Sequence, residues 1–195
     1  MEYNWPGYKV LPLSRKDIEV QLHMYLSENY YSCFKKEKKI NFENLIDQIF
    51  LTLGYTLVID NENKYLQENE AAKTDFLRKE IIIPVNCYNT LTNNGRSRFT
   101  LAHEIGHVIL HSEQLSKQIQ TAARTNNVMK LKAFESSEWQ ANYFAAALLM
   151  NKEDFTAEFY RLKNEESINI IVELSKIFCT SLESTKRRIK GLQLT

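Results

Sequence analysis

The stretch Arg98–His111, RFTLAHEIGHVILH, concentrates the side chains that could do chemistry. At the helical step of about 100° per residue, His103 and His107 fall within about 40° of each other, with Glu104 on the flank of the same face. Leu101, Ile105, Val108 and Ile109 fall on the opposite side. This pattern predicts a helix with an apolar back and a ligand-bearing front. His-Glu-x-x-His on such a helix offers a zinc ion two imidazoles one turn apart, and sets a carboxylate beside the metal-bound water as general base. A catalytic zinc commonly takes a third protein ligand and keeps its fourth position for water.

The chain has four histidines. His23 lies in a separate helical stretch next to aromatic residues and reads as structural or superficial. His111 has turned about 80° away from His103 at helical spacing, so it reads as a helix-end residue or as a group supporting a ligand from behind. The third ligand is therefore sought among the carboxylates of Glu135–Met150, ESSEWQANYFAAALLM. Glu138 shares a face with Ala141 and Asn142, where small side chains let two helices approach. There it would bind the metal, while Asn142 hydrogen-bonds the free ring nitrogen of a ligand histidine. Glu135, one turn earlier, is the fallback. Without a metal, Glu138 would be a first-turn carboxylate favoured by the helix dipole, and the histidines ordinary surface residues.

These residues need elements to position them. Ser14 is placed to cap a helix from about Arg15 carrying Ile18, Leu22, Tyr25 and Leu26 on one face. Lys35–Lys39 reads as a solvated connector, followed by a helix near Phe42–Leu53 that stops at Gly54. The period then changes to two: Tyr55–Ile59 reads as a strand, a second extended piece lies near Tyr65–Gln67 or Thr74–Leu77, and Glu80–Asn86 is a third. Pro84 removes a backbone donor, which points to an edge strand or a strand end; at an edge, Glu80–Asn86 would let a peptide substrate add by main-chain hydrogen bonds, and otherwise it simply packs on the helix. Cys87–Ser97 reads as a polar loop, and Ser112–Asn127 as a loop or weak helix. Gly106, costly in a helix interior, implies close contact with a neighbouring element. Further helices are expected over Lys152–Lys163 with Asn151 as cap, over residues 167–178, and from Leu182 to Gly191.

Composition bounds the reading. At 195 residues, with 44% hydrophobic and 25% charged residues, the chain fits one globular core with appendages. A net charge of +1 supplies no global field for nucleic acid or anionic lipid. Cys33, Cys87 and Cys179 form no C-x-x-C pair, and the N-terminal stretch has no signal-peptide core. With no apolar run near the roughly 20 residues of a membrane span, a cytoplasmic protein is expected.

HEIGH with the preceding RFTLA and trailing VILH, together with E-W-Q-A-N-Y-F-A-A-A-L-L-M, closely resembles the ImmA/IrrE family of metallopeptidases. The likeness runs over about residues 80–151 and extends to F-C-T-S-L-E-S-T-K-R-R-I-K (178–190), similar to that family's C-terminal helix-turn-helix-like hairpin. It departs at Asn151, where the family often has proline. The resemblance implies an α+β, mostly helical, zincin-like domain with a small sheet of about three strands packed on the HExxH helix. Residues 1–54 would be an arm and helices packed on the core, 55–151 the zincin-like core, and 152–195 the C-terminal helical region. His103, His107 and Glu138 would bind zinc and Glu104 would be the base; a His₂-carboxylate site also accepts Mn²⁺ or Fe²⁺. The implied substrate is a helix-turn-helix transcriptional repressor, cleaved to derepress genes of a mobile element or stress response in bacteria. An oxyanion donor is required as well, with Tyr88, Tyr143 and Arg98 as candidates among which the sequence does not choose.

The rival reading is a non-proteolytic zinc-containing module that binds or sequesters a repressor. Lys186, Arg187, Arg188 and Lys190 make direct DNA contact a third, which the near-zero net charge disfavours relative to a solvated helix face.

Overall fold

Local caps set the helix limits. Ser14 opens α1 (Arg15–Asn29) reciprocally: its Oγ accepts the Asp17 amide at 3.2 Å, while Asp17 Oδ2 accepts the Ser14 amide at 2.8 Å. Ile18, Leu22 and Leu26 bury the inner side of this helix. Asn41 caps α2 (Phe42–Leu53), whose Phe42, Leu45 and Ile49 point inward. The computed structural model describes residues 5–29, 39–62, 64–121, 131–165 and 167–195. Most of the expected Lys35–Lys39 connector, and Asn126 and Asn127 with the residues around them, lie outside the described residues.

The sheet has three strands, β1 (Thr56–Asp60), β2 (Lys73–Asp75) and β3 (Glu80–Pro84), in the order β1-β3-β2. β1 runs parallel to β3, with Thr56 opposite Glu80 and Asp60 opposite Pro84; β2 runs antiparallel, with Lys73 opposite Ile82. β3 is thus the central strand, so of the two readings of Pro84 the edge is overturned and the strand end holds. Pro84 is its last residue and the N-cap of α3 (Val85–Asn89), a place where a missing amide donor costs the ladder nothing. Buried Ile81, Ile82 and Ile83 form the continuous apolar run of a strand covered on both faces. The second extended piece is Lys73–Asp75; the Tyr65 region instead folds back on Asp60, whose carboxylate accepts the amides of Lys64, Tyr65 and Leu66 at 2.9 to 3.1 Å.

The segment Cys87–Ser97 holds most of α3 and the start of α4 (Gly95–Thr121) rather than a loop. Asn94 Oδ1 accepts the Arg96 and Ser97 amides, so the polar residues cap a helix. α4 then continues ten residues past His111, so over Ser112–Thr121 the helix reading holds and the loop reading does not. The apolar stripe of Leu101, Ile105 and Val108 resumes at the fully buried Leu115, and the intervening inward position is taken by the buried His111, which hides the period.

After a single 3-10 turn at Ala133–Glu135, Ser136 caps α5 (Ser137–Leu149). Gly106 lets α5 close on α4: a Cβ there would stand 3.0 Å from Phe144 Cδ1. Asn151 caps α6 (Lys152–Lys163), and α7 (Ile170–Ile177) and α8 (Leu182–Gly191) follow as a helical hairpin around residues 178–181. One buried apolar cluster runs from Val10 through Ile83, Ile105 and Phe144 to Phe178. The architecture is mostly helical α+β, with the small sheet packed on α4. No described helix is long and apolar enough to cross a membrane.

Candidate metal centre

α4 presents His103 and His107 from successive turns, and α5, brought close by Gly106 and Ala141, presents Glu138 from its first turn. The two Nε2 atoms lie 3.1 Å apart. Glu138 Oε2 is 3.2 Å from His103 Nε2, and Glu138 Oε1 is 3.3 Å from His107 Nε2. Three donors bound to one ion at roughly 2.0–2.1 Å in tetrahedral geometry stand about 3.3 Å from one another, so the set fits a small N,O-preferring cation. Two imidazoles and a carboxylate are also the chemistry such an ion selects.

The electrostatics fit the same use. Burial alone would push the Glu138 carboxyl up, but hydrogen bonds and charge from His103 and His107 outweigh it and hold the group far below the ordinary carboxylate range. Burial likewise works against charge on His103, yet the Glu138 and Glu104 carboxylates prevail and raise it. His111 goes the other way: burial and the neighbouring His107 lower it to about 4, leaving a neutral ring near pH 7.

Each ligand histidine is braced from behind. His103 Nδ1 lies 3.2 Å from Asn142 Oδ1, the partner expected for it. His107 Nδ1 lies 3.2 Å from His111 Nδ1, and His111 Nε2 lies 2.9 Å from Gln140 Oε1. Glu104, 7% exposed, points one oxygen at β2, where Thr74 Oγ1 donates to its Oε2 at 2.7 Å. Neither Thr74 nor Gln140 was identified from sequence. Gln140 carried a signal, because it lies inside E-W-Q-A-N two residues after Glu138; Thr74 carried none.

The cluster opens into a cleft of about 550 Å³ bordered by α4, α5, β2 and the N-terminal arm, with Tyr8, Ala72, Thr74 and Phe99 among its walls. Other residues singled out from sequence sit elsewhere. Glu135 accepts the Lys132 amide and faces Lys9, and His23 lines a separate cavity of about 450 Å³ beside α1. None of the three oxyanion candidates lines the cleft. Arg98 is buried, donating to the Leu91 and Ile40 carbonyls over the Phe42 ring; Tyr143 donates to Glu19; Tyr88 lies half-exposed on α3. The Arg98 guanidinium and the Tyr143 hydroxyl are thus engaged away from the cleft.

The Peptidase_M78 pattern, described as an IrrE N-terminal-like domain, matches residues 61–190, well over half of the chain. The chain belongs to the Peptidase_M78 family. The match takes in all three candidate ligands and nearly all of the C-terminal hairpin, and leaves the arm, α1, α2 and β1 outside. A solved structure titled Mycobacterium tuberculosis transcriptional regulator is similar over 90% of this chain at a TM-score of 0.59 and 16% identity. This member of Peptidase_M78 spans 46% of that protein's length, and the likeness is one of fold. No curated protein matches the chain.

Proposed function

We propose that the protein is a metal-dependent endopeptidase acting on a protein substrate, with His103, His107 and Glu138 holding Zn²⁺ and Glu104 as general base. The observation that carries this reading is the convergence of those three donors beside Glu104, in a cleft walled by β2. When bound, the ion supplies Lewis acidity to an attacking water and to the scissile carbonyl. Glu104 takes a proton from the water and hands it to the leaving amine. Thr74 holds one Glu104 oxygen, which keeps the other available for that proton. Asn142 orients His103.

The substrate-docking role expected of Glu80–Asn86 moves to β2, which is at the sheet edge, lines the cleft and carries Thr74. A peptide laid along β2 would pass over the metal ligands. Tyr8 is the one tyrosine among the cleft's lining residues and is the oxyanion donor in this reading, in preference to Tyr88, Tyr143 and Arg98. Family membership supports a helix-turn-helix repressor as substrate. Direct DNA reading by the last helix is disfavoured, since Arg188 is buried against Glu19 and Arg187 is paired with Glu183.

The test is incubation of zinc-loaded protein with the repressor encoded beside its gene, with and without chelator, and identification of new termini by mass spectrometry. Cleavage should occur, stop with chelator, and fall at least about a hundredfold in Glu104→Gln, which still binds zinc. Stoichiometric binding of an intact partner would instead identify the sequestering module.

A further inference from the structure

His111 and Gln140 remain unused by the proposed chemistry, although both are almost completely buried, 1% and 0% exposed. Gln140 fixes the direction of the chain of hydrogen bonds that runs through them. Its Nε2 donates to the Leu11 carbonyl at 2.9 Å and to the Phe134 carbonyl at 2.8 Å. Two carbonyls can only accept, so the amide is held with its NH₂ toward them and its Oε1 toward His111. The reverse placement would set oxygen against two oxygens and strand both donors in a buried site.

Gln140 Oε1 in turn can only accept, so the proton between it and His111 resides on His111 Nε2. A neutral His111 then has a lone pair at Nδ1, which faces His107 Nδ1 at 3.2 Å. His107 must donate across that contact. With its proton at Nδ1, the remaining His107 nitrogen, Nε2, is the one aimed at His103 Nε2 and Glu138.

We propose that Gln140 and His111 are positioning residues that set the tautomer of His107 for metal binding, and that the relay is anchored on the main chain of the N-terminal arm at Leu11. A ligand histidine is commonly backed by a carboxylate or a backbone carbonyl; here a second imidazole does this, and it has no polarity of its own until Gln140 assigns one. Leu11 lies outside the residues matched by the family pattern, and through it the arm is tied to the metal site. The arm is held in place independently, by exchange between Tyr8 and Ser137 and by the Val10 amide on the Glu135 carbonyl at 2.9 Å.

The proposal rests on the metal reading above, and two measurements separate them. Long-range ¹H–¹⁵N NMR of the full chain should show His111 protonated at Nε2 and bare at Nδ1, with or without zinc; protonation at Nδ1 instead would overturn the relay whatever the metal does. Chelator competition with zinc alone should show binding by wild type, a ten- to hundredfold loss in His111→Leu, and partial recovery in His111→Gln, which restores an acceptor. Wild-type zinc affinity in a folded His111→Leu protein would also overturn it. Failure of wild type to bind zinc would sink the metal reading, while the NMR result still decides the relay.

Discussion

Gly7 and Glu138 touch across the mouth of the site. A Cβ on Gly7 would lie 2.6 Å from Glu138 Cγ and 2.7 Å from Ser137 Oγ, and the residue sits at φ +99°, where L side chains are strained. The arm therefore presses directly on the one metal-ligand candidate that α4 does not supply. Gly7→Ala must lift the arm or turn Glu138. We expect zinc affinity to fall at least several-fold and the melting temperature to drop by a few degrees, since a non-glycine at positive φ costs about 1–2 kcal/mol. Unchanged zinc binding in a chelator titration would show that arm and ligand are independent.

Thr74 holds the proposed base through a single hydroxyl. Thr74→Val keeps the side chain's shape and removes the donor to Glu104 Oε2. A hydrogen bond to a charged group contributes about 1.5–3 kcal/mol, so kcat should fall roughly tenfold or more, with KM and zinc affinity little changed. Thr74→Ser should restore most of the rate. Equal kcat in all three proteins would remove Thr74 from the mechanism.

Much of the site was legible because its ligands ride on helices. His103, His107, Glu138 and Asn142 follow the 3.6-residue period, and Gly106 announced the close crossing that lets α5 reach α4. What escaped depends on pairing between distant segments. Whether Glu80–Pro84 is central or at an edge is decided by where β1 and β2 dock, and Pro84 is compatible with either because it ends the strand. The continuation of α4 past His111 was masked by a polar residue in a core position. Gln140 serves His111 from another helix and Thr74 serves Glu104 from another strand, so neither follows from local spacing.

Asp60 should make stability depend on acid. Burial alone would raise its carboxyl, but backbone amides of Tyr65, Lys64, Leu66 and Glu62 outweigh this and hold it below its ordinary 3.8. A depressed folded value means that the stabilisation is complete above the unfolded pKa of about 4 and is lost as pH falls through the folded one. Urea denaturation should show Asp60→Asn less stable than wild type at pH 7, with the gap closing below about pH 4. A gap that stays constant down to pH 2 would mean that the charge of Asp60 does not matter to the turn.

Arg188 gives the sharpest contrast within the C-terminal basic run. Its Nε donates to the Met150 carbonyl at 3.0 Å, just past the end of α5, and its NH2 pairs with Glu19 at 3.2 Å, with the Tyr143 hydroxyl alongside. This one side chain ties α8 to α1 and α5. Arg188→Met would leave Glu19, whose side chain is 26% exposed, without that partner and a buried carbonyl unsatisfied. Removing one member of a buried pair costs about 3–5 kcal/mol, and the partial exposure of Glu19 brings the expectation down to roughly 2–3. Arg187→Met, which breaks only a solvent-exposed pair with Glu183, should cost under about 1 kcal/mol. If denaturant titration instead found the two variants equally stable, Arg188 would be a surface charge, and its availability to an outside partner such as DNA would have to be reconsidered.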